Sequence, residues 1–509
     1  MLLTRLTDAS AAVAATRSRL AKVAALAAVL RAASGEEAEV VAAYLGGALR
    51  QRRTGLGPRS LQRPPAPAAT PSLTVTEVDA AFEELSGLAG PGSATRRAAL
   101  LAGLLGRATA SEQAYLAGLV TGEVRQGALD GLLLEAVAAA AEVPAATVRR
   151  AAMLAGSTPA IARAALTGGT AALAAFDLTV GVAVRPMLAA SAATVAAALP
   201  KAAPDGAAVA VEAKLDGIRL QAHKDGDDVR LFTRSLDDVT GRLPEICAIV
   251  RTLPVAAAIL DGEALALDEA GRPRPFQETA ALSATHAARD LALTPRFFDA
   301  LLLSGASLID RPLHERRSAL HDVVPPQYRV AGVVTPDAAA AEAFCRRVLA
   351  DGHEGVVVKN LDAPYAAGRR GAAWVKVKPV HTLDLVVLAV EWGGGRRRGF
   401  LSNLHLGARD PATGGFVMLG KTFKGMTDAM LAWQTSRFLD LEERREGHVV
   451  HVRPEQVVEI AFDGLQRSSR YPGGVALRFA RVVRYRDDKR AADADTIDTV
   501  RAIAGGLRP

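Results

Sequence analysis

Between Met1 and about Leu178 the apolar residues recur at intervals of three and four in runs such as TVTEVDAAFEELSGL, ATRRAALLAGLLGRA and ALDGLLLEAVAAAAE. That spacing lays one apolar stripe along a helix, so this third is expected to be all-helical. Thr76 with Asp79 three residues on, and Ser111 after Ala110, each open an apolar-periodic run and are the expected helix starts. Residues 51–75 (QRRTGLGPRSLQRPPAPAATPSLTV) carry glycines, basic residues and five prolines, which cannot continue a helix and read as a loop.

Near residue 185 the period shortens. From Val209 onward come short alternating or β-branched runs (AVAVEAK, IRLQAHK, VRLFTRS, AILDGEALAL, EGVVVKN, WVKVK), interleaved with helical pieces such as RPLHERRSALHDVV and PDAAAAEAFCRRVLA. This predicts a mixed α/β domain over 185–382. From Leu385 the runs LVVLAVEW, FLSNLHLGAR, GGFVMLGKTF, HVVHVRPEQVVEIAFDGLQ and ALRFARVVRY predict a small β-barrel over 385–509. The expected fold is therefore multidomain, α and α+β, with an all-helical domain over 1–180.

Composition adds limits. A chain of 509 residues is long enough for several domains, and 50% apolar with 23% charged residues is the balance of a soluble globular protein. The excess of 61 Lys+Arg over 54 Asp+Glu suits a nucleic-acid or nucleotide partner without requiring one. Cys247 and Cys345 are far apart and have no partners at metal-ligand spacing, which excludes a disulfide framework or a Cys-rich zinc site and favours a reducing, cytoplasmic compartment. The apolar stretches at 23–30 and 186–200 are shorter than the ~20 residues that span a bilayer, so no membrane partner is expected. Asp8, Arg17 and Arg19 interrupt the apolar start that a secretory signal needs.

Candidate chemistry begins at EAKLDGIR, Glu212 to Arg219. A lysine that attacks phosphorus must spend part of its time unprotonated, which burial or neighbouring cations promote. Taken alone, Lys214 is equally a surface lysine beside a DG hairpin turn. An ordered series follows it. Arg234 closes the strand LFTRS, Glu263 in ILDGEAL could accept from ribose hydroxyls, and Phe298 in RFFDALLL offers a face to a purine. Glu354 and Lys359 lie in HEGVVVKN, where the carboxylate suits Mg²⁺. In WVKVK, Lys376 and Lys378 share one strand face, as two anion-binding ammonium groups or as the inward-pointing lysines of an edge strand. GFVMLGKT, Gly415 to Thr422, matches a P-loop pattern, but DPATGG before it is a turn and FVML an apolar strand, so a hairpin is expected.

In this order the pieces resemble the covalent nucleotidyltransferases, and most closely the ATP-dependent DNA ligases of the three-domain type. EAKLDGIR resembles the nucleophile element, TRS the next arginine element, DGE and FFDALLL the ribose and adenine elements, EGVVVK the metal element and WVKVK the paired lysines. LRFARVVRYRDDK resembles the closing basic element, and QRRTGLG, GEVRQGALDGLLLEA and RPMLA resemble segments of the helical domain and the junction after it. The resemblance implies an enzyme that seals 5′-phosphate/3′-hydroxyl nicks in duplex DNA, in replication, repair or recombination, through lysine-AMP and DNA-adenylate intermediates.

It implies a helical DNA-binding domain, an adenylation domain and a C-terminal OB-fold, with ATP and Mg²⁺ as cofactors. Lys214 would be the nucleophile. Glu212, Arg219, Arg234, Glu263, Phe298, Arg370, Lys376 and Lys378 would hold the nucleotide, and Glu354 with Glu263 the metal. Arg52, Arg53 and Arg125 would grip DNA, while Arg478, Arg481, Arg484 and Lys489 would orient the leaving phosphates. A monomer is expected, nucleoid-associated in a bacterium, with hinges near Val180–Arg185 and Pro379–Asp384. A GTP-using capping enzyme or RNA ligase is disfavoured by the helical third and FFDALLL, and an NAD⁺-dependent ligase by the shortage of cysteines. A nonenzymatic DNA-binding scaffold would need none of Lys214, Glu263, Glu354, Lys376 or Lys378.

Overall fold

The structure, a computed structural model, describes residues 1–509 except 52, 125–129, 285–291, 367–369 and 504–509, and omits the side chains of 282–284, 370 and 396. Among the described residues, regular structure from Thr4 to Ala174 is helical, as the periodicity predicts. Its core runs from Leu3 to Leu173 and includes Leu30, Tyr44, Phe82, Leu133 and Ile161. The helix starts lie two residues earlier than expected. Thr74 caps the helix Val75–Gly87 with Glu77 in a reciprocal box, and Thr109 caps Ala110–Thr121 with Glu112. Thr76 and Ser111 fall inside the first turns, because the Ser/Thr-x-x-Glu pairing satisfies two exposed N–H groups where Thr76 with Asp79 would satisfy fewer.

The middle of the chain folds as two five-stranded sheets. The first runs in the order Leu188–Ala192, Arg370–Val377, Gly355–Asn360, Val209–Lys214, Gly332–Thr335. Only the pairing of Leu188–Ala192 with Arg370–Val377 is parallel. The second runs Asp228–Thr233, Ile218–Asp225, Ala257–Ala266, Leu293–Leu303, Ala306–Ser307. One core joins the sheets, with Val209, Val356 and Trp374 from the first packed with Ile259, Leu265 and Phe298 from the second. Helices Pro244–Arg251 and Leu313–Val323 pack on the second sheet over Leu220, Leu260 and Phe297. The chain crosses from one sheet to the other through Leu215, Asp216 and Gly217, so the end of Val209–Lys214 opens into the cleft between them.

The C-terminal part has its own core around Leu385, Phe438, Phe462 and Val482. Its seven-stranded sheet does not close on itself among the described residues, so the closed barrel expected from the strand pattern is an open sheet plus the hairpin Gly464–Arg467, Val475–Arg478. The twelve-residue strand His381–Trp392 accounts for this: its first half pairs with Val457–Phe462 and its second half with Val449–Val452, and bulges after Val387 and Glu391 bend it. Phe416–Thr422 is an antiparallel strand against Leu401–Arg409, the hairpin that excludes a P-loop there. No helix among the described residues is long and apolar enough to cross a membrane.

Candidate active site

Lys214 ends its strand at the mouth of the cleft, where its side chain lines a cavity of about 390 Å³. The same cavity is lined by Glu212, Arg219, Arg234, Glu263, Phe298 and Lys376. Residues separated by up to 164 positions thus converge on one space, and alternate residues of single strands do so by the period of two that puts them on one face.

Strand geometry explains the aim of each group. Gly217 lets the crossing chain press against Ala257–Ala266: a Cβ there would lie 2.3 Å from the Ala264 carbonyl oxygen and 3.0 Å from Glu263 Cγ. That approach allows the Gly217 N–H to donate to Glu263 Oε1 at 2.8 Å. Burial pushes the Glu263 carboxyl up to about 7, against the opposing pull of that hydrogen bond and of Lys214 and Arg219.

Arg219 makes a two-armed ion pair with Asp261, at 2.7 and 2.6 Å, and the Tyr365 hydroxyl donates to the same carboxylate at 2.6 Å. Its guanidinium sits 4.9 Å from the Phe298 ring centroid and 5.7 Å from that of Trp374. Phe298 meets Trp374 edge to face at 5.9 Å.

Lys214 Nζ is ion-paired with Glu354, whose backbone N–H donates to the Lys214 carbonyl at 3.1 Å. The other Glu354 oxygen takes Lys378 Nζ at 3.1 Å, and Lys378 is also paired with Asp463 of the C-terminal part. Burial opposes ionisation of Glu354, but the two ammonium groups outweigh it and hold its pKa below the ordinary carboxylate range. Lys378 therefore meets Lys214 through a shared carboxylate. Lys376 lines the cavity, and Lys378 bridges Glu354, the partner of Lys214, to Asp463 of the C-terminal part.

The closing basic element divides in the same way. Arg478 donates to Asp216 at 2.7 Å, beside Lys214, and Arg481 to Asp463 at 3.2 Å. Arg484 is instead paired with Glu459 at 2.7 Å, and Lys489 with Asp384 at 2.6 Å. Those carboxylates face each other on neighbouring strands and hold the sheet rather than the cleft. Arg53 is exposed. Arg52 and Arg125 lie outside the described residues, as does the Arg370 side chain, although Arg370 begins the strand Arg370–Val377.

Lys359 and Trp374, each noted only as part of a longer run, also line the cavity. In the strand Gly355–Asn360 the period of two puts Lys359 on the same face as Val357, another lining residue. Nothing local to Asp216, Arg317 or Asp463 announced their partners, which come from distant segments. Among the described residues no group of three or more His, Cys, Asp or Glu forms a metal cage. Glu354, an ionised carboxylate at the cavity mouth, fits an ion such as Mg²⁺ that takes one or two carboxylates and otherwise phosphate and water oxygens.

Comparison with known proteins bears on this geometry. Residues 186–378 match the ATP dependent DNA ligase domain, 397–489 the ATP dependent DNA ligase C terminal region and 58–138 the DNA ligase N terminus. A probable DNA ligase of Beutenbergia cavernae is 65% identical over 99% of this chain and 100% of its own length. One of Kineococcus radiotolerans is 63% identical over 99% and 100%. The solved structure described as Pmar-Lig_Pre is 17% identical and shares the fold, with a TM-score of 0.62 over 95% of this chain and 99% of that one. The chain belongs to the family of ATP-dependent DNA ligases.

Proposed function

We propose that the cavity between the two middle sheets binds ATP and that Lys214 attacks its α-phosphorus, forming an N–P bond as the bond to the departing pyrophosphate breaks. The observation that carries this is the convergence of Lys214, Glu212, Arg219, Glu263, Phe298 and Lys376 on one space. Phe298 and Trp374 offer apolar faces to the base, Glu212 its edge contact, and Glu263 an acceptor for the ribose hydroxyls. Arg219 and Arg234 hold the ribose and the nick phosphate, joined by Arg370 at its strand's start.

Mg²⁺ bound at Glu354 with the substrate phosphates would neutralise charge on the transferring group. Glu263 suits the ribose better than the metal, because burial favours its protonated form. Lys376, Lys378, Arg478 and Arg481 are the cations for the phosphates. Arg484 and Lys489 leave that set and stabilise the C-terminal sheet.

AMP then passes to the 5′-phosphate of a nick in duplex DNA, and the 3′-hydroxyl attacks that phosphorus and expels AMP. The helical third, 1–180, grips the duplex through phosphates with Arg52, Arg53 and Arg125. The C-terminal part, 385–509, acts as an OB-type module beside the adenylation domain of 185–382. Its Phe423 and Phe479 are more than half exposed, and Lys424 lies 6.0 and 5.6 Å from their ring centroids, a pairing of aromatic faces with a cation that suits nucleic acid. We take the working form as a cytoplasmic monomer, associated with the nucleoid in a bacterial cell.

Incubation with α-labelled ATP and Mg²⁺, followed by a denaturing gel, tests the reading. A labelled band is expected from the native chain and none from Lys214→Ala, with nick binding retained in that variant. Covalent AMP persisting without Lys214 would remove it as the nucleophile.

A further inference from the structure

Glu212 is held from two sides within the cavity wall. Its side chain is 2% exposed; Oε1 accepts from the Arg317 guanidinium, and Oε2 lies 2.5 Å from Lys359 Nζ. Beyond this ammonium contact Oε2 has no hydrogen-bond partner among the described residues, so it keeps a lone pair for a further donor. A buried carboxylate oxygen with a second lone pair at a cavity wall accepts a donor from the ligand.

We propose that Arg317 is a positioning residue that sets base selectivity. By holding Glu212 as an acceptor-only carboxylate, it admits a base edge that offers an N–H donor, as adenine does through its amino group, and rejects one that offers a carbonyl oxygen, as guanine does. The inference rests on the reading of Glu212 as the base-edge contact.

Arg317 comes from the helix Leu313–Val323, 105 residues after Glu212 in sequence. It crosses to the carboxylate over Gly332, which is opposite Glu212 in the neighbouring strand. A Cβ on Gly332 would stand 2.9 Å from Glu212 Cγ and 3.4 Å from Arg317 Nη2. The missing side chain therefore makes the room in which the pair meets. Lys359 is shared with other neighbours, lying 4.3 Å from the Trp374 ring centroid, 4.7 Å from that of Phe298 and 3.4 Å from the Phe298 carbonyl oxygen. An ionised carboxylate accepts and cannot donate, so a guanine carbonyl facing it would leave two buried acceptors opposed. Without Arg317 the carboxyl group is free to turn away, which removes the opposition.

The test measures the rate constant for lysine-nucleotide formation, divided by the nucleotide KM, with ATP and with GTP. Arg317→Met and Gly332→Ala are each expected to narrow the ATP-over-GTP ratio by roughly tenfold or more, while Arg317→Lys, which keeps a cation, retains most of it. A merely structural role would lower both nucleotides together and leave the ratio unchanged. Glu212→Gln separates the two readings. An unchanged ratio in that variant would remove Glu212 as the base contact, and this inference with it. A narrowed ratio there, with Arg317→Met and Gly332→Ala unchanged, would overturn the role of Arg317 alone. If Arg317→Met does not fold, as judged by thermal melting, an unchanged ratio in Gly332→Ala overturns it by itself.

Discussion

Glu263 shows how one side chain records the purpose of its surroundings. Its carboxyl, pushed up to about 7 by burial, sits well above the ordinary 4.5. Between those two values the unfolded chain has released this proton while the folded chain still holds it. The group's contribution to stability is therefore complete below about pH 4.5 and is lost as the pH rises through 7. The loss amounts to at most roughly 3 kcal/mol. Glu263→Gln carries no such proton, so its stability relative to the native chain should improve between pH 5 and pH 8, at a cost in ATP binding. Urea midpoints of both chains at the two pH values check this, and parallel shifts would show that Glu263 is ionised throughout. Glu354, at the same cleft, is biased the opposite way by two lysines, so neighbouring carboxylates are set up for different work.

At the scale of elements, the crossing from Lys214 to Ile218 decides whether the two sheets can share a site. Gly217→Ala would press a Cβ against the backbone of Ala257–Ala266, with no flexible group to give way. The expected loss is about 1–3 kcal/mol of stability, together with a raised KM for ATP as the Gly217–Glu263 hydrogen bond breaks; an unchanged KM would mean that the crossing relaxes freely. Much at this scale was legible in the sequence. The change of period near 185 reported helix giving way to strand, and the alternation in EGVVVKN and WVKVK reported two strands that the structure contains. Periodicity gives the face of a strand but not what stands across from it. Hence WVKVK shows Lys376 and Lys378 on one strand face but not that Asp463, 85 residues later, meets Lys378. Arg484 and Lys489 were read with Arg478 for the same reason: adjacency in a basic run carries no information about Glu459 and Asp384. The capping boxes lay in plain view at Thr74 and Thr109, but a second threonine or serine two residues on offered a competing start.

Over the whole molecule, the C-terminal part is seated on the cleft through contacts that use the site's own residues. Arg478 pairs with Asp216, Lys378 with Asp463, and the Arg478 guanidinium lies 5.5 Å from the Phe276 ring at the cavity wall. The helical third is tied on separately, by Arg150 to Asp310 at 2.6 Å and by hydrogen bonds from Gly181 to His223 and from Val184 to Gln221. The segment Val180–Arg185, expected to be a hinge, is thus pinned to the middle sheets in this arrangement, and within the other expected hinge, Pro379–Asp384, His381 is already paired with Phe462. Seating the C-terminal part places cations beside Lys214 but also covers the cleft that a nick must enter, so the same contacts should favour lysine-AMP formation and be dispensable once AMP has left the lysine. Asp463→Asn removes the carboxylate shared by Lys378 and Arg481, both of which it holds from the C-terminal side of the cleft. Removing it leaves Lys378 with Glu354 alone and takes from Arg481 the carboxylate it shares, which loosens the seat of the C-terminal part. The variant should therefore form lysine-AMP roughly tenfold more slowly and show a weaker dependence of that step on salt. Its sealing of a nick that already carries AMP should stay near that of the native chain. Measuring both steps on one preparation distinguishes the possibilities, because an equal loss in each would mean that Asp463 supports the fold of the site and not its closure.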